Sequence, residues 1–150
     1  MFLFSLSGCF CNEGEAWRIE IVNNLQHPIY AIVEFMQSSR FELGTILPGE
    51  TATEFSLHIF ASPEEPHKGF SKISIFTEDG EPFMILQGEE MDKYVIFVGR
   101  YSGLDESGAY IIHDNGGIGY LFRLEVEEEY LGIGINKVID FEEDIGDNTE

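Results

Sequence analysis

The sequence predicts an all-β protein, an antiparallel β-sandwich of about nine or ten short strands. Three observations predict it. Apolar residues recur at every second position in segment after segment. Turn-forming residues punctuate these segments at intervals of roughly 8–12 residues, the spacing of sandwiches and barrels. No apolar stripe with helical spacing persists beyond about two turns.

Taken in order, Trp17, Ile19 and Ile21 alternate with Arg18 and Glu20. On a strand each set falls on one face, whereas a helix would scatter both around its cylinder. Behind Pro28, the residues Ala31, Val33 and Phe35 alternate with Tyr30, Ile32 and Glu34. Pro48-Gly49 fits the two central positions of a type II turn. Phe55, Leu57 and Ile59 then alternate with Glu54, Ser56 and His58, which places His58 outward. Ser62–Gly69 is the best site for a short helix, limited to a turn by Pro63 and Pro66. Asp79-Gly80 between Ile73–Thr77 and Pro82–Leu86 is a hairpin signal. Glu89–Asp92 connects to Tyr94–Val98, apolar on both faces and so a candidate central strand. Asp114-Asn115-Gly116-Gly117 separates Tyr110–His113 from Gly119–Val126, where Tyr120, Phe122, Leu124 and Val126 share a face. A sandwich of immunoglobulin-like or related type is the expectation.

Composition narrows the function. The 150 residues carry 28 Asp and Glu against 8 Lys and Arg, a formal net charge of −20. Such a surface repels phosphate, so nucleic-acid partners are excluded. The hydrophobic share of 43% is enough for a single packed domain and too high for a wholly disordered chain. The block 140–150 holds six carboxylates and no basic residue and reads as an acidic, solvated tail. It is no EF-hand loop, since Ile145 stands where the turn glycine is required.

The first twelve residues bear no charged side chain, and Met1, Phe2, Leu3, Phe4 and Leu6 form an apolar block. Leu6-Ser7-Gly8-Cys9 resembles the lipobox of bacterial lipoproteins: an aliphatic residue, two small residues, then cysteine. The resemblance implies cleavage after Gly8 and acylation of Cys9, with residues 1–8 the remnant of a signal peptide. A basic n-region would then lie upstream of Met1, because no Lys or Arg precedes Arg18. Residues 9–16 become the lipidated cysteine and a polar tether, 17–139 the sandwich and 140–150 the tail. The location implied is the bacterial cell envelope, with a lipid anchor to the membrane. Read without the lipobox, Cys9 and Cys11 are apolar filler, too closely spaced for an unstrained disulfide.

Chemistry is sparse. His27, His58, His67 and His113 fall in no metal-ligand spacing and read as surface or loop residues. No serine lies in a nucleophile-elbow motif, and Ser102-Gly103 and Ser107-Gly108 read as turns. Gly132-Ile133-Gly134 and the glycines at 116–119 lack the lysine of a phosphate loop and read as bulges or bends. No catalytic residue, metal or cofactor is assigned. Phe dominates the aromatics, with 13 Phe against 6 Tyr and 1 Trp, so they chiefly fill the core. Trp17, Tyr101, Tyr110 and Tyr130 are the candidate ligand-contact aromatics, able to pair a ring face with a polar group.

The expectation is a non-catalytic, envelope-anchored binding protein that presents loops or a sheet edge to a protein partner. The alternative is a cytoplasmic acidic inhibitor or immunity protein, whose charge steers a basic partner. A hydrolase with a carboxylate or histidine site stands third.

Overall fold

The computed structural model describes residues 15–36, 39–59, 61–113 and 119–135. Alternating segments there become nine strands: β1 (Glu15–Asn23), β2 (Ile29–Phe35), β3 (Arg40–Ile46), β4 (Thr51–Ile59), β5 (Phe70–Thr77), β6 (Pro82–Leu86), β7 (Ile96–Leu104), β8 (Tyr110–His113) and β9 (Gly119–Val126). They form a five-stranded sheet, β4-β1-β9-β7-β8, and a four-stranded sheet, β3-β2-β5-β6. This is an all-β sandwich. Every paired neighbour is antiparallel except β1 and β9, which run parallel from Ala16↔Gly119 to Asn23↔Val126.

The inward rows meet in one core. Trp17, Ile19 and Ile21 of β1 lie beside Tyr120, Phe122 and Leu124 of β9. Ile29, Ala31, Val33 and Phe35 of β2, with Ile73 and Ile75 of β5, complete the layer from the other sheet. Trp17 is fully buried, its ring centroid 4.3 Å from Phe122 and 5.2 Å from Phe70. The Trp17 indole N–H is buried with no hydrogen-bond partner among the described residues.

One polar residue sits in this core for a reason. Asn23 ends β1 fully buried. Its Nδ2 donates to the carbonyls of His27 (2.9 Å) and Ile46 (2.8 Å), and its Oδ1 accepts from the Leu25 N–H (2.8 Å). Its main chain also accepts from Gly49 and donates to Glu50. The turn expected at Pro48-Gly49 is present, with Gly49 at φ 82° as the type II position requires. One side chain thus ties together the ends of β1 and β3 and the connection into β2.

Several sequence expectations are corrected. Phe55 and Leu57 do not face the core. Trp17 pairs with Ser56 and Arg18 with Phe55, so β4 turns Ser56 inward and Phe55 and Leu57 outward. An extra β4 residue between the Trp17↔Ser56 and Glu15↔Ile59 pairs returns Ile59 to the interior. The segment after Leu86 is not a plain connection: a 3-10 turn (Gly88–Glu90) leads into a short helix, α1 (Met91–Tyr94). Tyr94 therefore lies outside β7, which begins at Ile96. Within Ser62–Gly69 the structure gives a 3-10 turn at Pro66–Lys68. Ser102 and Gly103 belong to β7 rather than to a turn, and Glu15 and Ala16 to β1 rather than to a tether. Cys9, Gly8, the turn at 114–117 and the acidic block 140–150 lie outside the described residues.

Candidate functional site

The register that turns Phe55 and Leu57 outward adds apolar side chains to the exposed outer face of the five-stranded sheet. On the outer face of the five-stranded sheet, Phe55 is 41% exposed, Leu57 51%, Ile112 43% and Ile96 63%. The outer face of the four-stranded sheet is different. It carries Arg40 paired with Glu42 at 2.8 Å, and Tyr30 donates to the same glutamate at 2.5 Å.

Arg18 organises one end of the apolar face. Its β1 position places it between Phe55 of β4 and Leu121 of β9. The guanidinium lies 4.7 Å from the Phe55 ring centroid, 5.6 Å from that of Tyr101 and 5.8 Å from that of Tyr110. Its Nε donates to Tyr101 Oη at 3.3 Å. Tyr101 and Tyr110 pack edge to face at 5.4 Å. Ring faces attract a cation and let it stay charged with part of its hydration removed.

The other end is a cleft of about 330 Å³ lined by Tyr94, Ile96, Val98, Arg123, Glu125, Glu127 and Tyr130. Two short elements build its wall. Helix α1 supplies Tyr94, and the 3-10 turn Glu128–Tyr130 that follows β9 supplies Tyr130. The two rings meet edge to face at 5.0 Å. Arg123 is paired with Glu20 of the adjacent strand at 2.9 Å. Asn24 Nδ2 donates to Glu127 at 2.7 Å and to Glu125 at 3.3 Å, fixing both carboxylates at the rim. Desolvation first, then the charges of Glu129 and Glu127, hold the Tyr130 phenol above its ordinary pKa.

Of the four aromatics expected to contact a ligand, the structure brings Tyr101 and Tyr110 together and places Tyr130 in the cleft on the same face. Trp17 is corrected: it is core, with none of its surface open to a ligand. Phe55, Leu57, Ile96 and Tyr94 were not legible as surface groups, because alternation shows which residues share a face but not which face is buried.

His67 is the other group with organised geometry. It is no free loop residue: its backbone N–H and ring Nδ1 both contact the Asp92 carboxylate, at 3.0 and 2.8 Å. The pair clips the Pro66–Lys68 turn to α1. His27 is exposed, its Nδ1 3.3 Å from the Pro28 carbonyl oxygen. Among the described residues no three His, Cys, Asp or Glu side chains converge as metal ligands, and no helix is long and apolar enough to cross a membrane.

Compared with models of protein families, with curated proteins and with solved structures, the chain matches none of them.

Proposed function

We propose that this chain is a non-catalytic protein-binding module whose outer five-stranded face docks a basic protein. The observation that carries the reading is the cluster of Phe55, Arg18, Tyr101 and Tyr110 on a face that also exposes Leu57, Ile96 and Ile112. Interfaces draw their binding energy from such apolar and aromatic anchors, with Arg and Tyr prominent among them. The net charge of −20 supplies the sign of the partner, since a field of that size accelerates encounter with a cationic surface.

The test is affinity capture with three forms of the domain: wild type, the double variant Phe55→Glu/Ile96→Glu, and Arg40→Gln on the opposite sheet. A basic protein held by wild type and Arg40→Gln, released by added salt and lost from the double variant, is the expected result. Equal recovery on all three forms would overturn the docking face.

Attachment to the bacterial envelope through Cys9 is part of the same proposal, supported by Leu6-Ser7-Gly8-Cys9. Two or more acyl chains hold a protein stably on a bilayer, whereas one is marginal. Expression with the upstream codons and a labelled fatty acid tests it, and label persisting in Cys9→Ala would overturn it. The charge equally suits a cytoplasmic inhibitor or immunity protein for a basic toxin. A mature chain that keeps Met1 and carries no acyl group would assign the molecule to that class.

A further inference from the structure

We infer that the cleft walled by Tyr94 and Tyr130 is a receptor for one cationic side chain, an arginine or lysine of the docked protein. The inference rests on the docking face proposed above and names what anchors to it. The floor is aliphatic, with Ile96 exposed and Val98 beside it, which suits the methylene stem of a long basic side chain. The wall is the Tyr94–Tyr130 ring pair, 5.0 Å between centroids, offering π surface to a cation. The rim is acidic. The guanidinium of Arg123 is already engaged by Glu20, leaving the carboxylates of Glu125 and Glu127 as excess negative charge held in place by Asn24.

Shape and charge therefore agree. An anionic guest would meet two fixed carboxylates, and a neutral apolar guest would leave them desolvated beside it. A cationic head on an apolar stem satisfies both zones at once. The same face already holds one such group internally, with Arg18 seated 4.7 Å over the Phe55 ring. A guanidinium has an added advantage over an ammonium, because its planar fork can bridge two carboxylates while stacking on a ring.

The probe is Nα-acetyl-arginine amide, titrated into the full chain at about 0.15 M salt, an ionic strength that screens charges beyond roughly 8 Å. Nα-acetyl-citrulline amide is the neutral control of nearly equal shape. Binding is read by NMR from the resonances of Tyr94, Tyr130, Ile96 and Val98. Saturable shifts confined to those residues are expected, and citrulline should produce none. Glu127→Gln and Tyr130→Leu should each weaken the arginine probe by about two- to fivefold, the usual worth of one exposed charge or one cation–π contact. Glu78→Gln, in the β5–β6 turn, should leave it unchanged. The spectrum of each variant away from the cleft reports its folding, so loss of fold is separable from loss of binding. Non-saturating shifts spread over the acidic surface, equal binding of citrulline, or unaltered affinity in both cleft variants would each overturn the inference. The titration needs no partner protein, so its outcome is independent of the capture experiment.

Discussion

Removing the Asn23 side chain tests how the sandwich is closed at one end. Asn23→Ala deletes three hydrogen bonds and leaves the His27 and Ile46 carbonyls and the Leu25 N–H without that partner. Two of the three bonds are fully buried, so water does not readily replace them, while the one to His27 is only partly buried. At about 0.5–1.5 kcal/mol per bond, with extra cost where a buried group is orphaned, the loss is about 3 kcal/mol. With a urea slope of about 2 kcal/mol/M, the unfolding midpoint should fall by about 1.5 M. Tryptophan fluorescence follows the transition cleanly, because Trp17 is the single tryptophan and lies in the core. Asn23→Asp is the discriminating companion. It keeps the acceptor for Leu25 but loses both donors and sets a carboxylate against two carbonyl oxygens. It should be at least as destabilised as the alanine variant at neutral pH. A midpoint shift under about 0.3 M for Asn23→Ala, equivalent to about 0.6 kcal/mol at that slope, would refute the view that this residue braces the ends of β1 and β3 and the connection into β2.

Other expectations follow from single contacts. Gly69→Ala would bring a Cβ to 2.1 Å from Trp17 Cζ3, so the ring must shift within its aromatic cluster. A cost of about 1–3 kcal/mol is expected, a melting point lowered by about 3–10 °C in a scanning measurement. Asp105 accepts from the Ser107 N–H (2.8 Å), the Ser107 hydroxyl (2.7 Å) and the Ala109 N–H (3.0 Å). The Ser107 hydroxyl, then the Ala109 N–H, hold this carboxyl below its ordinary range. Its folded pKa is depressed, so its contribution to the β7–β8 turn is present above the unfolded value of about 4 and is lost as pH falls through the lower folded value. The Ser107 and Ala109 amide proton shifts should move together in that acid window, and Asp105→Asn should abolish the movement. Ile96→Ser should change stability by no more than about 0.5 kcal/mol, since the side chain is exposed, yet weaken partner capture.

The architecture was legible because the strands advertise a period of two. Trp17, Ile19 and Ile21 face inward beside Phe122 and Leu124 as their alternation requires. The hairpin signal at Asp79-Gly80 falls in the β5–β6 turn, with Gly80 at φ 88°. The docking face was not legible. Phe55-Ser56-Leu57 presents two apolar residues around one small polar one, and alternation alone assigns the apolar pair to the core. Pairing reverses this, because Ser56 sits opposite Trp17, whose ring already fills the interior at that level. The cleft was hidden for another reason: Tyr94 and Tyr130 come from two short helical turns 36 residues apart, joined only by the fold. Asn23 and the His67–Asp92 clip were missed likewise, since a single polar residue carries no periodic signal.

The parallel pairing of β1 with β9 has a consequence for how the protein is made. As the polypeptide leaves the ribosome, β1 can zip onto β4 early, but its other edge stays bare until residues 119–126 emerge. Contacts spanning some hundred residues are slow to close, and topologies dominated by them fold in milliseconds to seconds. Until then a strand with one bare edge and an apolar row of Trp17, Ile19 and Ile21 stands open to neighbouring nascent chains, a recognised route to aggregation. The surplus of negative charge acts against that hazard, because like-charged chains repel before their edges can meet.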